Sequence, residues 1–138
     1  MGVVAEVSPY EKFGGAEFFE ALVGDFYARV ALDSVLRPMY PEEDLGPAEL
    51  RLRMFLEQYW GGPTTYSQER GHPRLRMRHA PYVIDELARD HWLANMRLAL
   101  DARELPPDLD DAMWRYLLSA AQAMVNAPLV TGPDYTAD

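Results

Sequence analysis

The chain of 138 residues is long enough for one domain with a single core, and 49% hydrophobic and 25% charged residues are ordinary for a globular protein. Its formal net charge of −9 opposes binding to nucleic acids and to anionic membranes. The absence of cysteine excludes disulfides, iron–sulfur clusters and cysteine-ligated zinc. No apolar run approaches the ~20 residues of a membrane span, and no secretory signal opens the chain, so we expect a cytoplasmic protein.

The first third of the chain predicts a flexible arm and then a helix. Residues 1–12 carry no periodic pattern, and Gly14-Gly15 breaks the chain before a helix over roughly 16–31. Apolar residues spaced by three and four form the buried face of this helix: Phe19, Leu22, Val23, Phe26, Tyr27 and Val30. Asp33-Ser34 can cap a short turn that Tyr40-Pro41 ends.

A second helix is predicted over roughly 47–60, because Pro47 suits a first helical turn. Its apolar stripe is Leu52, Phe55, Leu56, Tyr59 and Trp60, with the small Ala48 one turn earlier and Arg51 at the edge. Gly61-Gly62-Pro63 breaks this helix. An arginine-rich stretch follows and ends on His79, with arginines at positions 70, 74, 76 and 78.

Three further helices are predicted, and no convincing pair of strands, so the fold class is all-α. The first is short, around 81–88, and Asp90 is a plausible cap for the next, over about 91–103, which turns Trp92, Leu93, Met96, Ala99 and Leu100 inward. Asp108 or Asp110 opens the last helix, which ends near Asn126. Residues 127–138 have no apolar stripe and are predicted to be a flexible tail, which leaves 13–126 as the domain.

The three histidines, His72, His79 and His91, leave several kinds of site open. No pair at helical spacing favours zinc, and no serine lies in the turn that a serine nucleophile requires. A haem fits better, because an imidazole can ligate its iron and arginines can pair with its two propionates. The alternative is that His79 and its neighbouring arginines are ordinary solvated surface.

Hydrogen-bond donors for a ligand on such an iron are few. Tyr27, Tyr40 and Trp92 carry two phenol O–H groups and one indole N–H. Each is equally compatible with a place in the core, where its polar atom would need another partner.

Four motifs, FYARV at 26–30, YPEEDL at 40–45, RLRMFLEQYWGGP at 51–63 and GHPRLRMRHAPY at 71–82, resemble the group II truncated haemoglobins. The resemblance covers roughly 13–126 and is closest to bacterial oxygen-binding members. It implies a shortened globin, a two-over-two helical sandwich around non-covalently bound haem b.

The resemblance also implies roles for single residues. His79 matches the proximal iron ligand, and Arg78 an arginine near a propionate. The residues that match positions on the side of the bound ligand are Tyr27, Tyr40, Trp92, Ala48, Leu52 and Phe55. Ala48 stands where many other globins carry a distal histidine. Met77 and Tyr82 beside His79, and Arg51, are expected to contact the haem as well.

Two functions follow from the resemblance. One is reversible binding of O2 or another diatomic ligand, such as NO or CO, for storage, sensing or transport. The other is an enzyme that turns O2 and nitric oxide into nitrate or reduces peroxide. Turnover would need an external reductase, because the chain has no flavin or nicotinamide motif. The resemblance also implies a possible homodimer, since relatives are commonly dimeric. The alternative from a different class is an all-α interaction module without a cofactor.

Overall fold

The computed structural model describes residues 7–41, 43–63 and 85–125, and these ranges are helical without any β-strand. The described helices are α1 (Pro9–Phe13), α2 (Gly15–Val30), α3 (Gly46–Tyr59), α4 (Glu86–Asp101) and α5 (Pro107–Met124), and a 3-10 turn, Arg37–Met39, precedes α3. The predicted all-α class is confirmed over this part of the chain. None of the described helices is long and apolar enough to cross a membrane.

Helix α2 is the centre of the core, because it packs against α1, α3 and α4, while α5 packs on α4. All six side chains of its predicted inner face are buried, so that prediction is confirmed. Burial of one large apolar side chain is worth about 1.5–3 kcal/mol, which makes this face a major source of stability. Gly24 lies where α2 meets α3: a Cβ there would be 3.3 Å from Oε2 of Glu49.

The predicted flexible arm covers residues 1–12, but its last four residues belong to helix α1. The Ser8 hydroxyl accepts the Glu11 N–H, and Pro9 occupies the first helical turn. The Tyr10 ring stacks on Phe19 with centroids 5.4 Å apart, and the Tyr10 N–H donates to the Trp60 carbonyl. A segment this short carries no periodic pattern, so its order comes from its cap and its tertiary contacts.

Helix α3 ends at Tyr59, as the Gly61-Gly62-Pro63 break predicts. Gly61 has a φ of +96° and its N–H donates to the Gln58 carbonyl, while the Gly62 N–H donates to the Glu57 carbonyl. These two bonds form a Schellman motif, which needs a residue at positive φ and therefore favours glycine.

The predicted stripe of α3 is partly wrong. Tyr59 is 55% exposed and stacks on Tyr116 of α5. Met54 and Glu57 are buried instead. Burial raises the pKa of Glu57, although Arg53 nearby opposes the shift and Glu20 adds to it.

Helix α4 begins at Glu86, about five residues before its predicted start at 91. The side chain of Asp85, not Asp90, accepts the Ala88 N–H at 2.9 Å. Asp90 lies inside the helix and pairs with Arg89. The predicted break between two helices at 88–91 is therefore wrong. The residues before Asp85 in the predicted helix at 81–88 lie outside the described ranges.

Helix α5 starts at Pro107, one residue before the earlier of its two predicted openings. Met113, Leu117, Ala121 and Met124 are buried on one side of this helix, and Ala120 is half-buried. Arg97 joins α4 to α5, because its guanidinium contacts Asp101 and Asp110 and lies 4.8 Å from the Trp114 ring centroid.

Candidate functional site

A pair of tyrosine hydroxyls forms the polar part of the candidate site. The hydroxyl oxygens of Tyr27 and Tyr40 are 3.4 Å apart, and their rings meet edge to face with centroids 5.5 Å apart. Tyr27 is on the inner face of α2, whereas Tyr40 follows the 3-10 turn in extended backbone. Thirteen positions separate the two tyrosines in the chain, and the turn after α2 brings them together.

The Tyr27 side chain is almost fully buried, which further stabilises the neutral form of its phenol. Burial, and then the Tyr40 hydroxyl, raise the pKa of Tyr27 well above its usual 10.0, while Arg51 opposes the shift. Tyr27 is therefore a neutral phenol at physiological pH and can donate a hydrogen bond. When Tyr40 donates to Tyr27, the Tyr27 proton is available to a ligand.

Trp92 extends the aromatic part of the site from α4. Its ring lies edge to face with Phe26, at a centroid distance of 5.2 Å, and Phe26 in turn contacts Tyr27. The structure thus links Trp92 to the tyrosine pair through one core phenylalanine. Trp92 is only partly buried although it packs against the core.

Helix α3 supplies small and apolar side chains. Ala48 is buried, while Leu52 and Phe55 pack against the core and stay partly exposed. Arg51 is half-buried on the same helix. The electrostatic influence of Arg51 and Glu49 on Tyr27 shows that the start of α3 lies near the tyrosine pair.

Four of the predicted site residues cannot be compared with the structure. His79, Arg78, Met77 and Tyr82 lie outside the described residues, and so does His72. Their roles remain predictions from the sequence. His91 is described, and its side chain is partly exposed, with Nδ1 3.0 Å from Oδ2 of Asp33.

The described residues fit one side of a haem site. A haem requires a broad apolar surface, and on its ligand side a small number of donors in a dry environment. Ala48, Leu52, Phe55 and Trp92 supply apolar surface from two helices, and Tyr27 supplies a buried donor that cannot ionise at neutral pH.

Comparison with known proteins agrees with this fit. The model of the bacterial-like globin family matches residues 8–126. The group 2 truncated haemoglobin YjbI of Bacillus subtilis is 40% identical over 119 residues, which are 86% of this chain and 89% of that protein.

Solved structures resemble the chain equally well. A thermostable haemoglobin from Thermobifida fusca is 61% identical with a TM-score of 0.87, covering 88% of this chain and 99% of that one. The group II truncated haemoglobin of Bacillus anthracis is 36% identical with a TM-score of 0.86, covering 94% and 98%.

These matches cover most of the chain and agree with its helical architecture. They confirm the resemblance seen in the sequence motifs and the predicted two-over-two globin fold. A globin of this family implies a haem cofactor and a small diatomic ligand. The chain belongs to the bacterial-like globins and, among them, to the group II truncated haemoglobins.

Proposed function

We propose that this protein binds haem b non-covalently through His79 and binds O2 reversibly. Tyr27, Tyr40 and Trp92 then stabilise the ligand through hydrogen bonds, directly from Tyr27 and Trp92 and through Tyr27 from Tyr40. The observation that carries the proposal is the Tyr27–Tyr40 hydroxyl pair, 3.4 Å apart, in which Tyr27 is buried and Tyr40 partly buried, beside apolar side chains of α3 and α4. When bound, the haem supplies an iron that accepts a diatomic ligand and can change its oxidation state.

The protein's own residues set the properties of the ligand. Tyr27 donates its proton to the ligand while Tyr40 donates to Tyr27, and Trp92 adds its indole N–H. Leu52, Phe55 and Ala48 keep water away, and Ala48 has no polar group with which to compete for the ligand. Arg78, by its position next to His79, pairs with a propionate, and Met77, Tyr82 and Arg51 add contacts to the cofactor.

Release of the ligand from such a site is slow, because a buried donor loses its partner when the ligand leaves. Leaving a buried donor unpaired costs about 1–3 kcal/mol, and a change of 1.4 kcal/mol is tenfold in a rate or an equilibrium. We therefore expect Tyr27→Phe to raise the O2 dissociation rate about tenfold. We expect Trp92→Phe and Tyr40→Phe to raise the O2 dissociation rate by the same factor or by a smaller one.

The test is stopped-flow measurement of O2 dissociation from the ferrous protein reconstituted with hemin and reduced. Tyr116→Phe is the matched control, since it removes a phenol hydroxyl from α5, where Tyr116 stacks on Tyr59. Unchanged rates in all three site variants would refute the donor roles. Failure of the wild-type protein to develop a Soret band with hemin would refute haem binding itself.

The slow release that we expect would favour a second candidate function, in which O2 reacts before it leaves. The enzyme would oxidise nitric oxide with O2 to nitrate, and a separate reductase would return the ferric iron to the ferrous state. Rapid mixing of the oxygenated protein with nitric oxide distinguishes the two functions. Stoichiometric nitrate with ferric haem supports the dioxygenase, whereas displacement of O2 without nitrate supports a binding protein.

A further inference from the structure

A single carboxylate organises the turn between α2 and the 3-10 segment. One oxygen of Asp33, Oδ1, accepts the backbone N–H groups of Val35 and Leu36 at 2.8 and 2.9 Å. The Asp33 carbonyl accepts the Arg37 N–H at 2.9 Å. Asp33 therefore closes the first turn of residues 33–41, which we call the corner.

The same carboxylate is bound from helix α4. Nδ1 of His91 is 3.0 Å from Asp33 Oδ2, and the Asn95 side-chain amide donates to Oδ2 at 2.8 Å. Asn95 also donates to the His91 carbonyl one turn earlier, which fixes its orientation. Trp92 follows His91 directly, so the corner is tied to the part of α4 that carries the predicted third donor.

Arg37 holds the other end of the corner at Tyr40. Its carbonyl accepts the Tyr40 N–H at 3.2 Å, and its Nη1 donates to the Tyr40 carbonyl at 3.0 Å. Nη2 donates to the Glu43 carbonyl at 2.8 Å, beyond Tyr40. Three hydrogen bonds of one arginine thus hold the backbone N–H and carbonyl of Tyr40 and the carbonyl of Glu43.

These contacts matter because Tyr40, unlike Tyr27, is not held by a helix. Its hydroxyl is 3.4 Å from that of Tyr27, longer than the 2.7–2.8 Å usual for this type of bond, so a small further displacement breaks it. We propose that Asp33, anchored by His91 and Asn95, and Arg37 are positioning residues that hold Tyr40 in register with Tyr27 and the ligand. This inference rests on the proposed function, because it assigns a purpose to the Tyr40 hydroxyl there.

The experiment uses three variants of the hemin-loaded protein and one control. Asp33→Asn keeps an acceptor for Val35 and Leu36 but places an amide N–H₂ group where His91 and Asn95 approach. Asn95→Leu removes one donor at similar volume, and Arg37→Gln removes the guanidinium. Arg97→Gln, which removes an ion pair elsewhere on α4, is the control for loss of stability alone.

Three measurements report different parts of the proposal. Resonance Raman spectra of the CO complex report hydrogen bonding to the ligand, and stopped flow gives the O2 dissociation rate. Amide exchange at Val35 and Leu36 in the CO complex reports whether the corner is closed. In the positioning variants we expect faster exchange, a shifted C–O stretching frequency and dissociation about threefold or more faster, whereas Arg97→Gln changes none of these.

A double-mutant comparison with Tyr40→Phe separates positioning from general loosening. If the variants act through Tyr40, their effect on dissociation disappears in the Tyr40→Phe background. An effect of equal size in both backgrounds, or faster amide exchange with unchanged spectra and rates, would overturn the positioning role. If Tyr40→Phe itself has no effect on spectra or rates, the donor role of Tyr40 in the proposed function fails as well, which distinguishes the two failures.

Discussion

Among single residues, Asp33 carries an unusual concentration of hydrogen bonds. Its side chain is only 12% exposed, and burial alone would raise the pKa of its carboxyl. Hydrogen bonds from His91, the Leu36 N–H, Asn95 and the Val35 N–H outweigh burial, and the net result is a pKa well below the usual 3.8. The folded protein therefore stabilises the ionised carboxylate of Asp33 relative to the unfolded chain.

This difference makes stability depend on pH in acid. Because the folded-state pKa of Asp33 is depressed, its contribution is fully present above the unfolded-state value of about 4 and is lost as pH falls below it. We expect the unfolding free energy to fall from about pH 5 downward, and Asp33→Asn to be less stable than wild type at pH 7 with a shallower decline in acid. Urea unfolding monitored by circular dichroism between pH 2 and pH 7 measures both. Parallel curves for the two proteins would contradict this account.

The environment of a single residue is predictable from the sequence where local spacing carries the information. The three-and-four spacing placed Tyr27 on the buried face of α2, and the turn chemistry of Asp33 was recognised as a cap. The partners of Asp33 on α4 could not be inferred, because His91 and Asn95 are 58 and 62 positions away. The burial of Glu57 is also not predictable from the sequence, because no local pattern marks a glutamate as internal.

Among the contacts between elements, the junction of α1 with the end of α3 is closely packed around Gly62. A Cβ on Gly62 would lie 2.6 Å from the Tyr10 ring and 2.9 Å from the Glu57 carbonyl oxygen. The ring belongs to a side chain that stacks on Phe19, and the carbonyl belongs to the backbone, so neither can move far at low cost.

We therefore expect Gly62→Ala to lower the unfolding free energy by about 1–3 kcal/mol, the usual range for overpacking, and to loosen α1. Chemical denaturation measures the first effect, and amide exchange at Tyr10, whose N–H donates to Trp60, measures the second. Gly24→Ala is the matched control, because its Cβ would meet only the flexible carboxylate of Glu49 at 3.3 Å. A loss at Gly24 as large as that at Gly62 would argue against the steric explanation.

Helices α4 and α5 are joined by the side chain of Arg97. Arg97 is 28% exposed and combines two carboxylates with an aromatic ring, whereas Arg115 is 77% exposed and pairs with Asp111, its one ion-pair partner among the described residues. Exposed pairs contribute about 0–1 kcal/mol, and a cation over an aromatic ring adds about 0.5–1 kcal/mol.

We expect Arg97→Gln to lower the unfolding free energy by about 1–2 kcal/mol and Arg115→Gln by less than about 0.5 kcal/mol. Denaturation at low and high salt measures the difference, which should narrow but persist at high salt because the contact with Trp114 is partly apolar. Equal losses in the two variants would show that the aromatic contact contributes nothing.

Helix boundaries show which parts of the elements the sequence could predict. Breaks made by glycine or proline, as at Gly14 and Gly61, were located correctly because these residues act through their own backbone. The start of α4 was misplaced, because Asp85 and Asp90 are both chemically suitable caps and only the path of the chain decides between them. The same limit hid α1, whose five residues depend on Tyr10 and Phe13 packing against neighbouring helices.

At the scale of the whole molecule, the described helices carry the residues that we propose to contact the bound O2. The residue that we propose to coordinate the iron, His79, lies outside the described ranges. The bound cofactor would then contact α2, α3 and α4, and these helices pack around the core. A ligand that binds only the folded state stabilises it by mass action, by about 2.7 kcal/mol at a free concentration one hundred times its dissociation constant.

Hemin should therefore raise the midpoint of thermal unfolding of the apoprotein, by an amount that depends on hemin concentration. We expect His79→Gly to lose most of this increase, because coordination of the iron is then lost, and His72→Gly to keep it. Circular dichroism melts at fixed protein concentration and increasing hemin measure the shift, and exogenous imidazole should restore part of it to His79→Gly. If His79→Gly kept the full wild-type increase without imidazole, the cofactor would be held by apolar contacts alone, and His79 would not be its iron ligand. Since imidazole can refill a cavity at position 79 but cannot repair a misfolded core, its effect separates loss of a ligand from loss of structure.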